Sequence, residues 1–565
     1  MYEKYINRLQ PKPTFNLKWY QGDDQYSEGD IEDVVLRLIA ENEIKDYSKL
    51  INENFSWSSY YHLTNLRENI LNWYPFEENS SVLEVGCGMG AITNVLCDRC
   101  RKVTAVELSR RRATATLLRC REKENLEIIV GNLNDIQFEE KFDYITLIGV
   151  FEYQGNYTES ENPYIDFLKK IRTLLKPNGK LLIAIENQYG LKYWCGARED
   201  HTGIPFDGIN QYDFSDKKVR TFSKTVLEQM VKNCGFSNTF FYYPMPDYKL
   251  PTVVYSEKCL PKDSNMLNMN YYYIPDNHTL VAQENKLYHD IIENNVFEFF
   301  ANSFLLECSE SGEVGRVTFA SMSNRRLPEY QIATRFTSDQ KVEKYALCEH
   351  EGQQHIDEII ENEAELKNKG IKIWQSEICN GVIQSAYCKA ETAEDALIRK
   401  SREKDKQGME AIFDKLYCQI LQSSEKTDWK DNILYSCYPD KIKDEGKYGI
   451  ILKKGYIDMI PRNAFWLDDE FYWFDQEWKL DNVPANFIIF RAIMHTYNSY
   501  PELEKVIPIV ELAMRYHLIE AWSDMKLLEQ MFECVVLDME HYSVSSKISS
   551  CSGEACAKNI NKIMR

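Results

Sequence analysis

Residues 82–90 read V-L-E-V-G-C-G-M-G, a strand running into a turn with three alternate glycines at the start of a helix. Gly86 lets the chain turn sharply, Gly88 lets backbone approach a ligand, and Gly90 lets the helix pack closely. Such a loop also occurs in turns that bind nothing. The spacing to the next strand is more specific: that second strand, "KVTAVEL", ends at Glu107, 21 positions after Gly86. There a carboxylate can accept hydrogen bonds from both hydroxyls of a ribose. The third strand ends in "VGNLND", where Asn132, Leu133 or the nearby Asp135 can meet an adenine edge.

A second set of groups lies in "GYIDMIPRNAFWLDDEFYWFDQEW". Asp458, Asn463 five residues later, and Asp475 beyond a short hairpin place three oxygen ligands where a nucleotide phosphate and a divalent ion can share them. Magnesium favours such hard donors.

The elements that must position these groups are legible in the periodicity. From Ser80 to about Ser256, short apolar runs ("SVLEVG", "LEIIVG", "FDYITLIGV", "KLLIAIEN", "NTFFYYPMPD") alternate with helical patterns. That alternation predicts an α/β domain with one doubly wound, mostly parallel sheet. Residues 1–55 read as an extension with a weak helical pattern over "DIEDVVLRLIAENE", and residues 257–300 as a linker and connecting helix. Over 301–500, closely spaced strands ("SFLLEC", "GRVTFASM", "YQIATRF", "KVEKYAL") predict a small antiparallel sheet in an α+β domain, with a helix over "HIDEIIENEAELKNKG" closed by Gly370. A helical tail occupies 501–565.

In order and spacing, "VLEVGCGMGAIT", "VTAVELS", "GNLND", "FDYITLIGVFEY" and "LLKPNGKLLIAIEN" resemble the class I S-adenosylmethionine-dependent methyltransferases over about 56–256. The resemblance implies S-adenosylmethionine as cofactor. Glu84 would order its methionine end, Gly86 and Gly88 would adjoin its amino-acid portion, and Glu107 would hold its ribose. Asn132 departs from the acid often found near adenine. A nicotinamide dehydrogenase shares the first two elements but not the "EVGCGMG" form. Candidate acceptor-side groups follow the fourth and fifth strands: Glu152 and Tyr153, then Glu186, Asn187 and a run containing Tyr189, Tyr193, Trp194, Asp200 and His201. His201 is a general base if it faces the transferred methyl, and otherwise a structural or substrate-binding group. Glu152 is an acceptor contact or a lining residue.

Over about 301–500 the chain resembles the aminoglycoside and choline phosphotransferase branch of the kinase-like fold. Asp458 matches the catalytic aspartate, Asn463 and Asp475 the metal ligands, and Pro461 and Glu477 complete "D-x-x-P-x-N" and "D-x-E". Lys344 would contact phosphate, with Glu361 or Glu363 as its partner. Tyr456 stands where a histidine is usual, and "SNRRLPEY" replaces a glycine-rich loop. An active kinase using ATP and Mg2+, a kinase-shaped binding module, and coincidental spacing are the open readings. The domain order is similar to bifunctional enzymes that cap surface polysaccharides, which implies a sugar or glycan-related acceptor. Tyr242, Tyr243, Trp466, Tyr472 and Trp473 are candidates to stack on sugars, or to pack.

Composition narrows the classes. With 67 basic and 87 acidic residues the net charge is -20, which opposes non-specific binding to nucleic acid or an anionic membrane. The 16 cysteines are scattered, and Cys97 and Cys100 read as reduced helix-end residues rather than a metal pair. No 18-residue apolar run occurs and "MYEKYINRLQPK" lacks a signal core, so a cytoplasmic location without membrane insertion is expected. The oligomeric state is not legible.

Overall fold

The computed structural model describes residues 2–24, 26–42, 47–267, 269–273, 276–437, 446–548 and 553–564. The expected helix from Asp30 is observed over Ile31–Glu41, and Glu43 lies outside the described residues, as does part of the 260–277 run. The chain divides into two compact units: Met1–Met322 with Arg335–Asp339 and Met539–Arg565, and Ser323–Thr334 with Gln340–Asp538.

The first unit is built on a sheet whose strands are β1 (Thr14–Asn16), β2 (Ser81–Val85), β3 (Lys102–Glu107), β4 (Leu126–Val130), β5 (Phe142–Ile148), β6 (Leu175–Glu186), β7 (Asn238–Met245), β8 (Val253–Ser256), β9 (Ser303–Ser309) and β10 (Val317–Met322). Their order is β1-β4-β3-β2-β5-β6-β9-β7-β8-β10. Strands β1 to β6 pair in parallel, with crossover helices Thr93–Arg99, Arg110–Arg119 and Pro163–Leu174. All five residues of β2 are buried, as befits the centre of a sheet covered on both faces.

Beyond β6 every pairing is antiparallel, so the sheet is mixed rather than mostly parallel throughout. The expected boundary at residue 301 is also displaced. β9, read from sequence as the first strand of the second domain, inserts between β6 and β7, and Phe304 and Leu306 join the core that holds Leu83, Leu147 and Ile183. Its seven residues are all buried, which a strand paired on both sides achieves and an edge strand does not. The 257–300 stretch is likewise part of the first unit rather than a free linker, and so are residues 539–565 of the expected tail.

The amino-terminal extension is integral. β1 adds a strand beside β4, and Val35, Leu36 and Ile39 of the Ile31–Glu41 helix bury against Ala115 and Leu118. Glu32, fully buried, receives Arg112 Nε at 2.7 Å. A carboxylate at that depth is tolerated because guanidinium groups neutralise it.

In the second unit, Lys341–Ala346, Val382–Ala386 and Ser376–Cys379 form antiparallel pairs. The helix Glu349–Asn368 ends as its sequence predicts. Gly370 has φ +78°, its N–H reaches the Lys367 carbonyl at 3.0 Å, and the Ile371 N–H reaches that of Leu366 at 3.2 Å. The buried Leu366 and Ile371 accompany this double closure, which only a left-handed residue permits without strain. Strand Ile451–Tyr456 pairs with Lys479–Pro484, and the hairpin Ala464–Leu467/Glu470–Trp473 lies between them in sequence. Among the described residues no helix is long and apolar enough to cross a membrane.

Candidate active site

At the carboxyl ends of β2, β3, β5 and β6 the first unit encloses a cavity of about 690 Å³, within the range of ligand sites. Gly86 and Gly88 line it, with φ +74° and +55°. A Cβ on Gly86 would sit 2.5 Å from Val150 Cγ2, whereas one on Gly88 would meet nothing within 4 Å, leaving that backbone open to a bound group. Gly90 (φ +77°) is not part of the lining; a Cβ there would be 3.0 Å from Thr116 Cα, so it serves packing.

Glu107 lines the cavity, 6% exposed. Its Oε2 accepts the Gly88 N–H at 2.8 Å and its Oε1 the Ser109 N–H at 3.1 Å. The glycine loop and the acid at the end of β3 are thus one hydrogen-bonded assembly. Burial raises the Glu107 carboxyl, opposed by Arg112. Glu84 lies at the end of β2 outside the lining, and burial pushes it up to about 7. Asn132 and Leu133 line the cavity, but the Asn132 amide donates to the Tyr157 carbonyl (3.1 Å) and its oxygen accepts the Asn134 N–H (2.9 Å). Its side chain is therefore committed to the loop rather than free to read a base.

Toward the other end lie Glu152, Glu186, Asp200 and His201. Glu186 is fully buried and meets Lys249 Nζ, Tyr248 Oη at 3.2 Å and His201 Nε2 at 3.4 Å. Against a burial that would raise it, Lys249 and His201 hold Glu186 well below the usual carboxylate range. Burial disfavours the His201 cation, yet Glu186 outweighs it and raises His201 to about 9. Its Nδ1 is 3.1 Å from Tyr153 Oη. With both nitrogens engaged and Glu186 favouring its cation, His201 fits the structural alternative, a charged partner of Glu186, better than a general base.

Glu152 differs from its neighbours. It is 1% exposed, and neither carboxylate oxygen accepts a hydrogen bond from another described residue. Burial, with Glu186 adding to it, pushes Glu152 up to about 8.

Other expected acceptor-side groups do not reach the cavity. Asn187 ties down the Phe299 and Ala301 carbonyls at 2.7 and 2.8 Å, Tyr189 stacks on Phe299, Tyr193 is buried in the core and Trp194 packs on Phe300. Tyr242, Tyr243 and Trp473 are at most 1% exposed, so these three pack rather than stack on a sugar. Reasoning from sequence missed Tyr26, Glu28, Trp57 and Tyr61, which line the cavity from the amino-terminal segment, and Lys249. No local signal pointed to them: the segment is tied down by Asp24, which accepts the Arg110 N–H at 2.6 Å and the Ser109 hydroxyl at 2.9 Å, some 85 residues along the chain.

In the second unit Lys344 pairs with Asp475 and lies 3.9 Å from Glu477. Asp475 adopts φ +60°, an unusual conformation for a non-glycine residue and a frequent mark of functional loops. Glu477 also receives Arg326 at 2.5 Å and His355 at 3.5 Å. Asp458 accepts the Trp478 N–H at 3.0 Å, has Arg491 3.7 Å away, and is raised to about 6 by burial. Asn463 donates to the Asp458 carbonyl at 3.2 Å, and its amide oxygen accepts no hydrogen bond among the described residues. Of the two candidate partners for Lys344, Glu361 is exposed, whereas Glu363 is buried and acts on the lysine's charge. Tyr456 turns to Glu365, its hydroxyl 2.5 Å from Oε2.

Residues 59–239 match the model of a family described as "Methyltransferase domain". Those residues, about a third of the chain, thus carry a methyltransferase domain. Over 115 residues this chain is 34% identical to an "uncharacterized methyltransferase" of Staphylococcus carnosus (20% of this chain, 51% of that protein). Over 118 residues it is 28% identical to a malonyl-acyl-carrier-protein O-methyltransferase of Priestia megaterium (20% and 40%). Over 115 residues it is 25% identical to Nodulation protein S of Rhizobium tropici (20% and 47%). The chain thus spans about half the length, or less, of these three curated relatives.

Proposed function

We propose that the protein transfers a methyl group from S-adenosylmethionine to a small acceptor, sugar or glycan-related, bound in the cavity of the first unit, and that it does so in the cytoplasm. The observation that carries this reading is the Gly88–Glu107 assembly: an acid held by two backbone N–H groups at a cavity wall, beside a glycine whose missing side chain leaves room for a ligand. The residues fit the donor. Glu107 would accept its ribose hydroxyls, Gly86 and Gly88 would admit its amino-acid portion, and Glu84, buried behind the loop, would act on its ammonium through the strand end. When bound, S-adenosylmethionine supplies a methyl group already activated on a positively charged sulfur. The chain's own task is to align an acceptor and handle its proton.

Calorimetry with S-adenosylhomocysteine tests the reading. Wild type is expected to bind and Glu107→Ala to lose binding; a folded wild type that does not bind overturns it.

A second reading is favoured by the convergence of Lys344, Asp475 and Glu477 beside Asp458 and Asn463: phosphoryl transfer from ATP to a glycan end in the second unit. Asp475 and the amide oxygen of Asn463 supply the hard donors that Mg2+ prefers, and Lys344 would release Asp475 to take up phosphate. ATP with Mg2+ is expected to bind wild type and not Asp475→Ala; its failure to bind wild type favours a passive, kinase-shaped module.

A further inference from the structure

The acids at the acceptor end of the cavity are unevenly paired, and the two further lysines that line it, Lys217 and Lys218, make no ion pair with them, Lys217 donating to the His201 carbonyl. Glu152, Glu186, Glu199, Asp200 and Asp247 are all buried or nearly so, against Lys192, Lys249 and His201. Those three cations are already engaged: Lys249 and His201 on Glu186, Lys249 also on Asp200 at 2.7 Å, Lys192 on Asp200 at 2.9 Å and on Asp247 at 3.3 Å. What remains is Glu152, buried, lining the cavity, and accepting no hydrogen bond from another described residue. A buried carboxyl without a partner is unfavourable unless a ligand completes it. The rings of Tyr26, Trp57, Tyr61 and Tyr153 line the same cavity, and aromatic faces attract cations; Arg112 and Arg67 already lie over those of Tyr26 and Tyr61.

We propose that the methyl acceptor carries a basic amine, whose ammonium form is bound by Glu152 and whose proton Glu152 removes before methylation. This rests on the methyltransferase reading of the cavity. The ammonium nitrogen gives one proton to a Glu152 oxygen. The freed nitrogen lone pair then forms the new N–C bond while the S–C bond breaks, its electron pair remaining on sulfur. The product is a methylated ammonium, and Glu152 returns its proton to solvent.

The magnitudes favour an amine over a hydroxyl. Whatever value Glu152 takes in the complex, an alkylammonium near pKa ~10.4 gives up its proton about 10⁵-fold more readily than a hydroxyl comparable to water, near ~15.7. A divalent ion on Glu152, Glu186 and His201, whose ligand atoms lie within 4.8 Å of one another, would require His201 to lose its proton and Lys249 to leave Glu186. The ammonium needs neither change. The titratable groups facing Glu152 are Glu186, His201, Lys249, Tyr153, Tyr164 and Tyr248.

The test uses full-length protein saturated with S-adenosylhomocysteine, titrated calorimetrically with ethylammonium and with ethanol. Ethylammonium is expected to bind at least about tenfold more tightly and to release close to one proton at neutral pH, read from buffers of different ionisation enthalpy. Glu152→Gln is expected to abolish that preference while keeping its affinity for S-adenosylhomocysteine. Equal binding of the two probes, no ethylammonium binding up to about 0.1 M, or an unchanged preference in Glu152→Gln overturns the proposal. So does tight Mn2+ binding that Glu152→Gln removes. If the variant does not fold, proton release by wild type decides. Failure to bind S-adenosylhomocysteine overturns the methyltransferase reading itself, whereas binding it without amine preference overturns the amine alone.

Discussion

Each unit buries a group of acids, most of them paired with cations, and the first unit differs in leaving two of its acids outside those pairs. In the second unit the charges close on one another: Asp475 on Lys344, Glu477 on Arg326 and His355, Asp458 near Arg491. In the first, Glu107 is held by backbone N–H groups and Glu152 accepts no hydrogen bond from another described residue, both at the wall of a cavity. A closed set of ion pairs is complete without a ligand and must open to take one. An acid left unpartnered beside a cavity is incomplete until a ligand arrives, which is why the first site declares its chemistry more plainly than the second.

The largest effect expected from breaking this contrast is on donor binding. Glu107→Ala removes the ribose acceptor and frees the Gly88 N–H, so affinity for S-adenosylhomocysteine is expected to fall about 100-fold or more by calorimetry. Asp475→Ala in the same assay is expected to leave that affinity unchanged. Its effect appears in stability instead: Lys344 loses its nearest counter-ion in a buried setting, and urea denaturation is expected to show a loss of about 2 kcal/mol.

The pH dependence sharpens the comparison. Glu152, raised to about 8 in the folded state, binds a proton that the unfolded chain releases near the ordinary carboxyl value. Its contribution is fully present below about pH 4.5 and is lost as pH rises through about 8. Glu152→Gln is therefore expected to gain on ligand-free wild type by up to about 4 kcal/mol between about pH 5 and about pH 8.5, measured by chemical denaturation at each pH. A gap that stays flat with pH would show Glu152 to be compensated. The smallest effect belongs to Gly88→Ala: strain at φ +55° is expected to cost about 1 kcal/mol in thermal unfolding, with the added methyl facing open cavity.

What was legible in the sequence was local. The turn at Gly86–Gly88 and the acid at Glu107 belong to one strand–turn–helix–strand passage, so spacing alone brings them together. The closure of a helix at Gly370 is likewise written in a few consecutive residues. What was not legible depends on partners far along the chain. His201 has the residue type of a base, but Glu186 favours its charged form and Tyr153 occupies its other nitrogen. Tyr242 and Tyr243 look like a sugar platform until β9 and β8 flank their strand and both of its faces are covered. Trp57 and Tyr61 carry no motif at all; they reach the cavity because the amino-terminal helices fold against the one after β3.

The late arrival of β9 has a consequence for how the chain comes off the ribosome. Until residues 303–309 have been synthesised, β6 and β7 have no strand to join them, and β6 is left as a bare edge rich in leucine and isoleucine. Fragments ending near residue 256 are then candidates for edge-to-edge aggregation. Val544, from residues 539–565, enters the cluster of Val35 and Leu36, so the first unit also waits for a segment made after the whole of the second.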